Sequence, residues 1–348
     1  MSRVYLDHNA TTPLRAEARD AMLAAMDVVG NPSSVHAEGR ASKMLVERAR
    51  TQVASLVGCL PTQVVFTGSA TEAAALAVAQ KDRHGGVFVA SPTEHDCFGD
   101  WSEGTQDAVT GPALVALSGA NSETGVMQAD GLVVSGPSVV CDITQMAGKV
   151  PVQYGDGKPA YMILSAHKLG GPKGVGALIN FTADDPQAIL RGGGQEMGRR
   201  SGTENVIGIA GFGAAAEAAQ RDVEAGKWDR IEKLRNILES ALAAASNTTI
   251  FVGKGASRLP NTTCFATPGW KGETQVMQMD LSGFAISAGS ACSSGKVKAS
   301  KVLTAMGLGD VAAHAVRVSL GLETTEDDVL RFAAAWAQKL KKHEARAA

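Results

Sequence analysis

"YMILSAHKLGGPKGVGAL", residues 161–178, begins as an uninterrupted apolar run and then changes character. The run reads as a strand buried on both faces, the pattern of a parallel sheet covered by helices. It ends in Ser165, Ala166, His167 and Lys168, then turns on Gly170, Gly171 and Pro172. In open α/β sheets ligands bind beyond the carboxyl ends of the strands. A lysine placed there is partly desolvated, which lowers its pKa and leaves an amine able to condense with an aldehyde. A solvated loop lysine is the alternative, and this segment alone leaves it open.

Similar runs lie on both sides. "QVVFTG" (63–68), "GVFVAS" (86–91), "ALVALSG" (113–119), "SVVCDI" (138–143) and "VGALIN" (175–180) read as further buried strands. Helical patterns at 15–28 and 36–57 precede them, and "KWDRIEKLRNILESALAAA" (227–245) follows as a long amphipathic helix. Strands alternating with helices predict an α/β fold of the doubly wound kind. Beyond residue 245 the texture changes. "TTIFVG", "NTTCFAT", "FAISAG" and "AVRVSLG" are short strand patterns, interleaved with helical "ETQVMQMDLS" and "ASKVLTAMG" and closed by a helix near 325–342. This predicts a large domain over 15–245, with 1–14 and 246–348 forming a smaller α+β domain.

Bulk properties narrow the function. The 348 residues are 45% hydrophobic and 20% charged with a formal net charge of −2, so no basic face for nucleic acid or an anionic membrane is expected. No apolar run approaches the ~20 residues that span a bilayer. The opening "MSRVYLDHNATTP" has no basic region followed by an apolar stretch, so no secretory signal is read there. Cys59, Cys97, Cys141, Cys264 and Cys292 are odd in number and form no CxxC pair. That spacing speaks against a disulfide framework and against a zinc or other metal site, and fits a reducing cytoplasm.

Three more segments carry candidate chemistry. "VVCDITQMAGKVP" (139–151) brings Asp142, then Gln145, to the end of a buried strand. An acid there is costly without a cation, and a protonated pyridine nitrogen is such a cation; a helix cap or surface ion pair is the other reading. "FTGSATEAAAL" (66–76) is a strand, a turn and a helix starting near Thr71, whose first N–H groups and the Ser69 and Thr71 hydroxyls make an anion site or merely a cap. "SPTEHDCF" (91–98) ends a strand with His95, suited to stacking on an aromatic ring or moving a proton, or to a structural role. Asn121 in "GANSETG" either meets a cofactor hydroxyl or shapes a turn.

These pieces occur in one order with "YLDHNATTP", "NPSSVHAEGR", "GGGQEMGRRSGTENV", "GSACSSG" and "VRVSLG". The whole closely resembles the NifS/IscS-type cysteine desulfurases of the class V aminotransferase group, over nearly the full chain. The resemblance implies the pyridoxal-phosphate-dependent type I fold, with a mostly parallel central sheet flanked by helices and a smaller C-terminal α+β domain. It implies pyridoxal 5′-phosphate as cofactor, with Lys168 the lysine that condenses with it. Asp142 matches the partner of the ring nitrogen, His95 the residue stacked on the ring, and Asn121 and Gln145 the contacts to its hydroxyl. Ala70 through its backbone, Thr71, Ser165 and His167 match the phosphate cradle. Thr203 matches the residue that reaches the phosphate in the other subunit, which implies a homodimer. Arg317 matches the grip on the substrate carboxylate, with Asn121 on the substrate side as well. The implied reaction moves sulfur from L-cysteine to Cys292 as a persulfide, releases alanine, and passes the sulfur to an acceptor such as an iron–sulfur scaffold protein. Departures from the family pattern are Ser122 in place of a second asparagine, Asp96 and Cys97 beside His95, Met197 where a charged residue is common, and short connections from His95 to Asn121 and from Gly125 to Asp142.

"SAGSACSSGKVKASK" (287–301) superficially suggests a phosphate loop. That motif requires G-x-x-x-x-G-K-[ST]. Here five residues separate Gly289 from Gly295, and Val297 replaces the hydroxyl. A small-residue loop carrying Cys292 suits instead a nucleophile that must move between cofactor and acceptor. Competing readings are a selenocysteine lyase, a transaminase indifferent to loss of Cys292, and a non-catalytic scaffold of the same fold.

Overall fold

The computed structural model describes residues 3–104, 111–128, 136–155, 157–288 and 299–347. The chain opens with a two-residue strand, β1 (Val4–Tyr5). It divides into two compact units, one of residues 11–120 and 128–225, the other of 1–10, 121–127 and 226–348.

The first unit holds helices α1 (Ala16–Met26) and α2 (Ala37–Val57), strand β2 (Val64–Thr67) and helix α3 (Ala70–Val78). Next come β3 (Phe88–Ala90), the short α4 (Asp96–Gly99), β4 (Leu114–Ser118), β5 (Gly136–Asp142), β6 (Pro159–Ser165), β7 (Gly176–Asn180) and helix α5 (Val206–Glu224). The strands form one sheet in the order β2-β7-β6-β5-β4-β3. Strands β3 to β6 run parallel, as the apolar runs lead one to expect. Strand β7 departs from that expectation and pairs antiparallel with both β6 and β2. Chain length explains the reversal: only residues 166–175 link β6 to β7, too few for the dozen or more residues that a parallel crossover needs. Every residue of β2, β6 and β7 is buried, and the core on the α3 side packs Leu76, Phe88, Phe98, Leu114, Tyr161 and Ile163.

Helix α5 is absent from the sequence reading. Its run "VIGIAGFGAAAEAAQ" carries three glycines in eight residues, which depress helix propensity by about 1 kcal/mol each relative to alanine. The helix packs against α1 and α2, and that packing overrides the propensity.

The second unit contains α6 (Lys227–Ala245), β8 (Ile250–Val252), β9 (Thr262–Ala266), α7 (Gly272–Asp280), β10 (Phe284–Ala285) and β11 (Ser287–Ala288). It ends with α8 (Lys301–Ala305), β12 (Ala315–Ser319) and α9 (Glu326–Ala347). An antiparallel sheet runs β11-β12-β9-β8, and β1 pairs parallel with β10. The apolar face of α6 packs on α9, which places that helix in this unit. Trp336 of α9 is fully buried, lies edge-on to Phe265 and bonds through Nε1 to Gln275 Oε1 at 3.0 Å.

Candidate functional site

The cross-strand register gathers the candidate residues of the first unit along one edge of its sheet. Thr67, Gly176 and Ser165 are successive partners across β2, β7 and β6. Ile163, Asp142 and Ser118 are partners across β6, β5 and β4. The carboxyl ends of β2, β6, β5, β4 and β3 therefore share that edge. The segments leaving it are residues 68–71, 166–168, 143–145 and 91–95.

The lysine segment is clamped from the N-terminal side. Thr12 donates its backbone N–H to the His167 carbonyl and its hydroxyl to the Lys168 carbonyl, both at 2.9 Å. Thr11 Oγ1 lies 3.1 Å from His167 Nδ1. Burial, with Lys168, Lys173 and Lys149 nearby, lowers the His167 pKa to about 4. At neutral pH the ring is uncharged, with Nδ1 engaged by the Thr11 hydroxyl. The sequence reading quoted "ATTP" but assigned it no role; the backbone clamp on Lys168 is that role.

Helix α3 starts at Ala70, one residue before the expected position. Ser69 caps it by accepting the Glu72 N–H at 3.1 Å. The first N–H groups, at Ala70 and Thr71, have no acceptor within the helix, as at any helix start. Strand β7 holds this start tightly: a Cβ on Gly176 would lie 2.7 Å from the Ala70 nitrogen, so only glycine permits the approach. Glu72 Oε2 accepts the Gly68 N–H at 2.7 Å, while Arg200 Nε bonds Glu72 Oε1 at 2.8 Å. Arg200 thereby ties the loop bearing exposed Thr203 to the same helix start. Further back, buried Glu196 accepts both ends of the Arg50 fork at 2.8 Å and the Phe66 N–H at 2.9 Å. Glu196 and Met197 both hold left-handed backbone, φ 50° and 60°.

Asp142 Oδ1 accepts the Thr144 N–H at 2.8 Å, a local turn. Among the described residues no Lys, Arg or His forms an ion pair with this carboxylate. Behind it lies Glu94, 2% exposed and hydrogen-bonded by the Ser118 hydroxyl. Burial lifts Glu94 to about 7; the Ser118 bonds oppose the rise and the Asp142 charge adds to it. His95 is exposed, and its Nδ1 accepts the Cys97 N–H at 3.1 Å. Neutral His95 therefore carries its hydrogen on Nε2. Gln145 is buried, and Lys149 Nζ donates to its Oε1 at 2.8 Å.

In the second unit, Asn121 uses its side-chain oxygen to accept the Glu123 and Thr124 N–H groups at 2.9 and 3.0 Å, closing a turn. Arg317 is buried on β12 with Nη2 bonded to Asp7 Oδ1 at 2.8 Å and Nη1 to the Ser122 carbonyl at 3.0 Å. Cys292 lies outside the described residues.

Comparison with known proteins settles the family. The chain matches the class-V aminotransferases over residues 4–105 and 100–332. The chain belongs to the class-V aminotransferase family. Within it, the chain is 36% identical to a cysteine desulfurase of Klebsiella pneumoniae over 94% of this chain and 90% of that one. It is 31% identical to the cysteine desulfurase IscS of Dictyoglomus turgidum, over 94% and 91%. A solved NifS-like protein from Rickettsia africae superposes with a TM-score of 0.87 at 28% identity, covering 97% of this chain and all but 1% of that one. Class-V aminotransferases use pyridoxal 5′-phosphate, and the sheet edge fits it. A carboxylate with no ion pair among the described residues suits a protonated ring nitrogen, and a helix start suits a phosphate.

Proposed function

We infer that the chain is an L-cysteine desulfurase. The observation that carries the reading is the pair of adjacent parallel strands, one leading to Lys168 and the next ending in Asp142, which makes no ion pair among the described residues. When bound, the cofactor supplies an electron sink for charge developing at the substrate Cα. Lys168 would hold the cofactor, and its amine would take the substrate Cα proton. Asp142 would pair with the ring nitrogen. His95 would lie against the ring and carry protons on Nε2. Gln145 and Asn121 would address the ring hydroxyl, with Asn121 on the substrate side as well. Ala70, Thr71, Ser165 and His167 would hold the phosphate, joined by Thr203 from the second subunit of a homodimer.

Arg317 receives the substrate carboxylate. Its Nε has no acceptor among the described residues, and its planar donors suit a carboxylate. Cys292 attacks as the thiolate, the competent form of the nucleophile. A sulfur–sulfur bond forms, the substrate carbon–sulfur bond breaks, and its electron pair stays on carbon, which is protonated to give L-alanine. The persulfide on Cys292 then passes its outer sulfur to an acceptor protein, an iron–sulfur scaffold or another sulfur-using partner, in the cytoplasm.

Intact mass of the cofactor-loaded protein after L-cysteine without reductant tests this. One or more added sulfur atoms on wild type and none on Cys292→Ala is the expected result. A Cys292→Ala enzyme that still consumes L-cysteine at the wild-type rate would overturn it in favour of a transaminase.

A further inference from the structure

Arg317 is held by a residue that the proposed reaction does not use. Its strand, β12, is paired on both sides: Arg317 faces Ser287 of β11 and Cys264 of β9. Its side chain is 8% exposed, and a buried charge of that kind requires a partner. Asp7 is that partner, through Oδ1 to Nη2 at 2.8 Å. The other carboxylate oxygen of Asp7 accepts the Ser287 hydroxyl at 2.8 Å. The Asp7 carbonyl accepts the Tyr5 hydroxyl at 3.0 Å, and the residue forms a bridge to Ser319 at the end of β12. The Ser122 carbonyl takes Nη1 at 3.0 Å. Two acceptors on two different nitrogens fix the guanidinium plane. Of the five N–H groups, these two bonds leave one on each Nη and that of Nε, which is buried and has no acceptor among the described residues.

We propose that Asp7, braced by Ser287, is a positioning residue for the substrate carboxylate: it fixes the plane of Arg317 so that the remaining guanidinium N–H groups are aligned for the ligand. The inference rests on the reading of Arg317 as the carboxylate site. It also makes a choice of sign. Asp7 neutralises part of the charge that attracts the ligand, so a residue that merely competed with substrate would tighten binding when removed. A residue that orients the fork weakens binding when removed, because Arg is a good carboxylate receptor only with its planar donors aligned.

The test uses cofactor-loaded wild type, Asp7→Ala, Asp7→Asn, Ser287→Ala and Arg317→Ala. For each, KM and kcat for L-cysteine are measured beside the dissociation constant of 3-mercaptopropionate, which has the carboxylate and thiol but no amine to condense with the cofactor. Asp7→Ala is expected to raise KM and that dissociation constant by about tenfold or more, the size of one charged hydrogen bond, with a much smaller change in kcat. Asp7→Asn keeps one acceptor and loses the other, so it and Ser287→Ala shift both constants in the same direction by less. Adding Asp7→Ala to Arg317→Ala produces no further loss. Unchanged or tightened binding in Asp7→Ala and Asp7→Asn, with Arg317→Ala weakened, overturns the role of Asp7 and leaves that of Arg317 standing. Unchanged binding in Arg317→Ala overturns both. If Asp7→Ala does not fold, Asp7→Asn decides by the same signs.

Discussion

Glu94 and His167 carry opposite linkage to stability. Glu94 is lifted from 4.5 to about 7, so between those values the folded chain holds a proton that the unfolded chain has released. Its contribution is present at the low end and is lost as pH rises through that window. His167 is lowered from 6.5 to about 4, so over that window the unfolded chain holds the extra proton and stability rises with pH. The two slopes offset each other in the wild type, and a single substitution separates them. Glu94→Gln retains an acceptor for Ser118 and removes the ionisable group. We expect its stability to match wild type near pH 5 and exceed it at pH 8 by about 2 kcal/mol, given 1.36 kcal/mol per pKa unit. Urea unfolding of both proteins across that range measures the difference, and parallel profiles would remove the claim. Neither property is readable in the sequence, where "TEH" shows a glutamate but not what buries it. Thr11 and Thr12 are similar: their bonds to residues 167 and 168 join positions more than 150 apart.

At the scale of elements, legibility followed the hydrophobic period. The strand patterns of the first unit appear close to where their apolar runs lie, and β2, β6 and β7 are buried along their whole length with few polar breaks. Direction was less legible, since a buried run reads the same whichever way its neighbour points, and only the short 166–175 link shows that β7 turns back. Helix α5 was lost because its glycines serve packing and not propensity. A Cβ on Gly213 would lie 2.5 Å from the Ala49 Cα on α2, a backbone atom that cannot step aside alone. Gly213→Ala therefore gains helix propensity of about 1 kcal/mol and forces two helices apart, an overpacking that costs typically 1–3 kcal/mol. The expected net is a lower denaturation midpoint, with an unchanged slope against denaturant. A midpoint raised by the substitution would mean that the α2–α5 approach is not tight.

Across the whole chain the proposed site divides between residues whose surroundings are described and one, Cys292, that lies outside the described residues. The sheet edge of the first unit and the Arg317 environment of the second are built from described side chains, whereas Cys292 is assigned by its motif. Its uniqueness as a nucleophile is nevertheless testable through the other thiols. Burial raises Cys59 to about 12, with Lys158 opposing, and Cys264 to about 12, with Glu123 adding to the rise. Cys97 is raised further by burial and by the charges of Asp142, Glu94 and Asp96. Cys141 is fully buried on β5. At pH 7.5 none of these four holds an appreciable thiolate population in an accessible place, and the thiolate is the species that reacts. Native Cys292→Ala treated with iodoacetamide is therefore expected to take up essentially no label over the period in which wild type takes up one equivalent. Under denaturing conditions the same variant should label at all four remaining cysteines, five less the one substituted. Label appearing on Cys97 in the native variant would reveal a second reactive thiol beside His95. Persulfide formation would then have two candidate sites to be separated by peptide mapping.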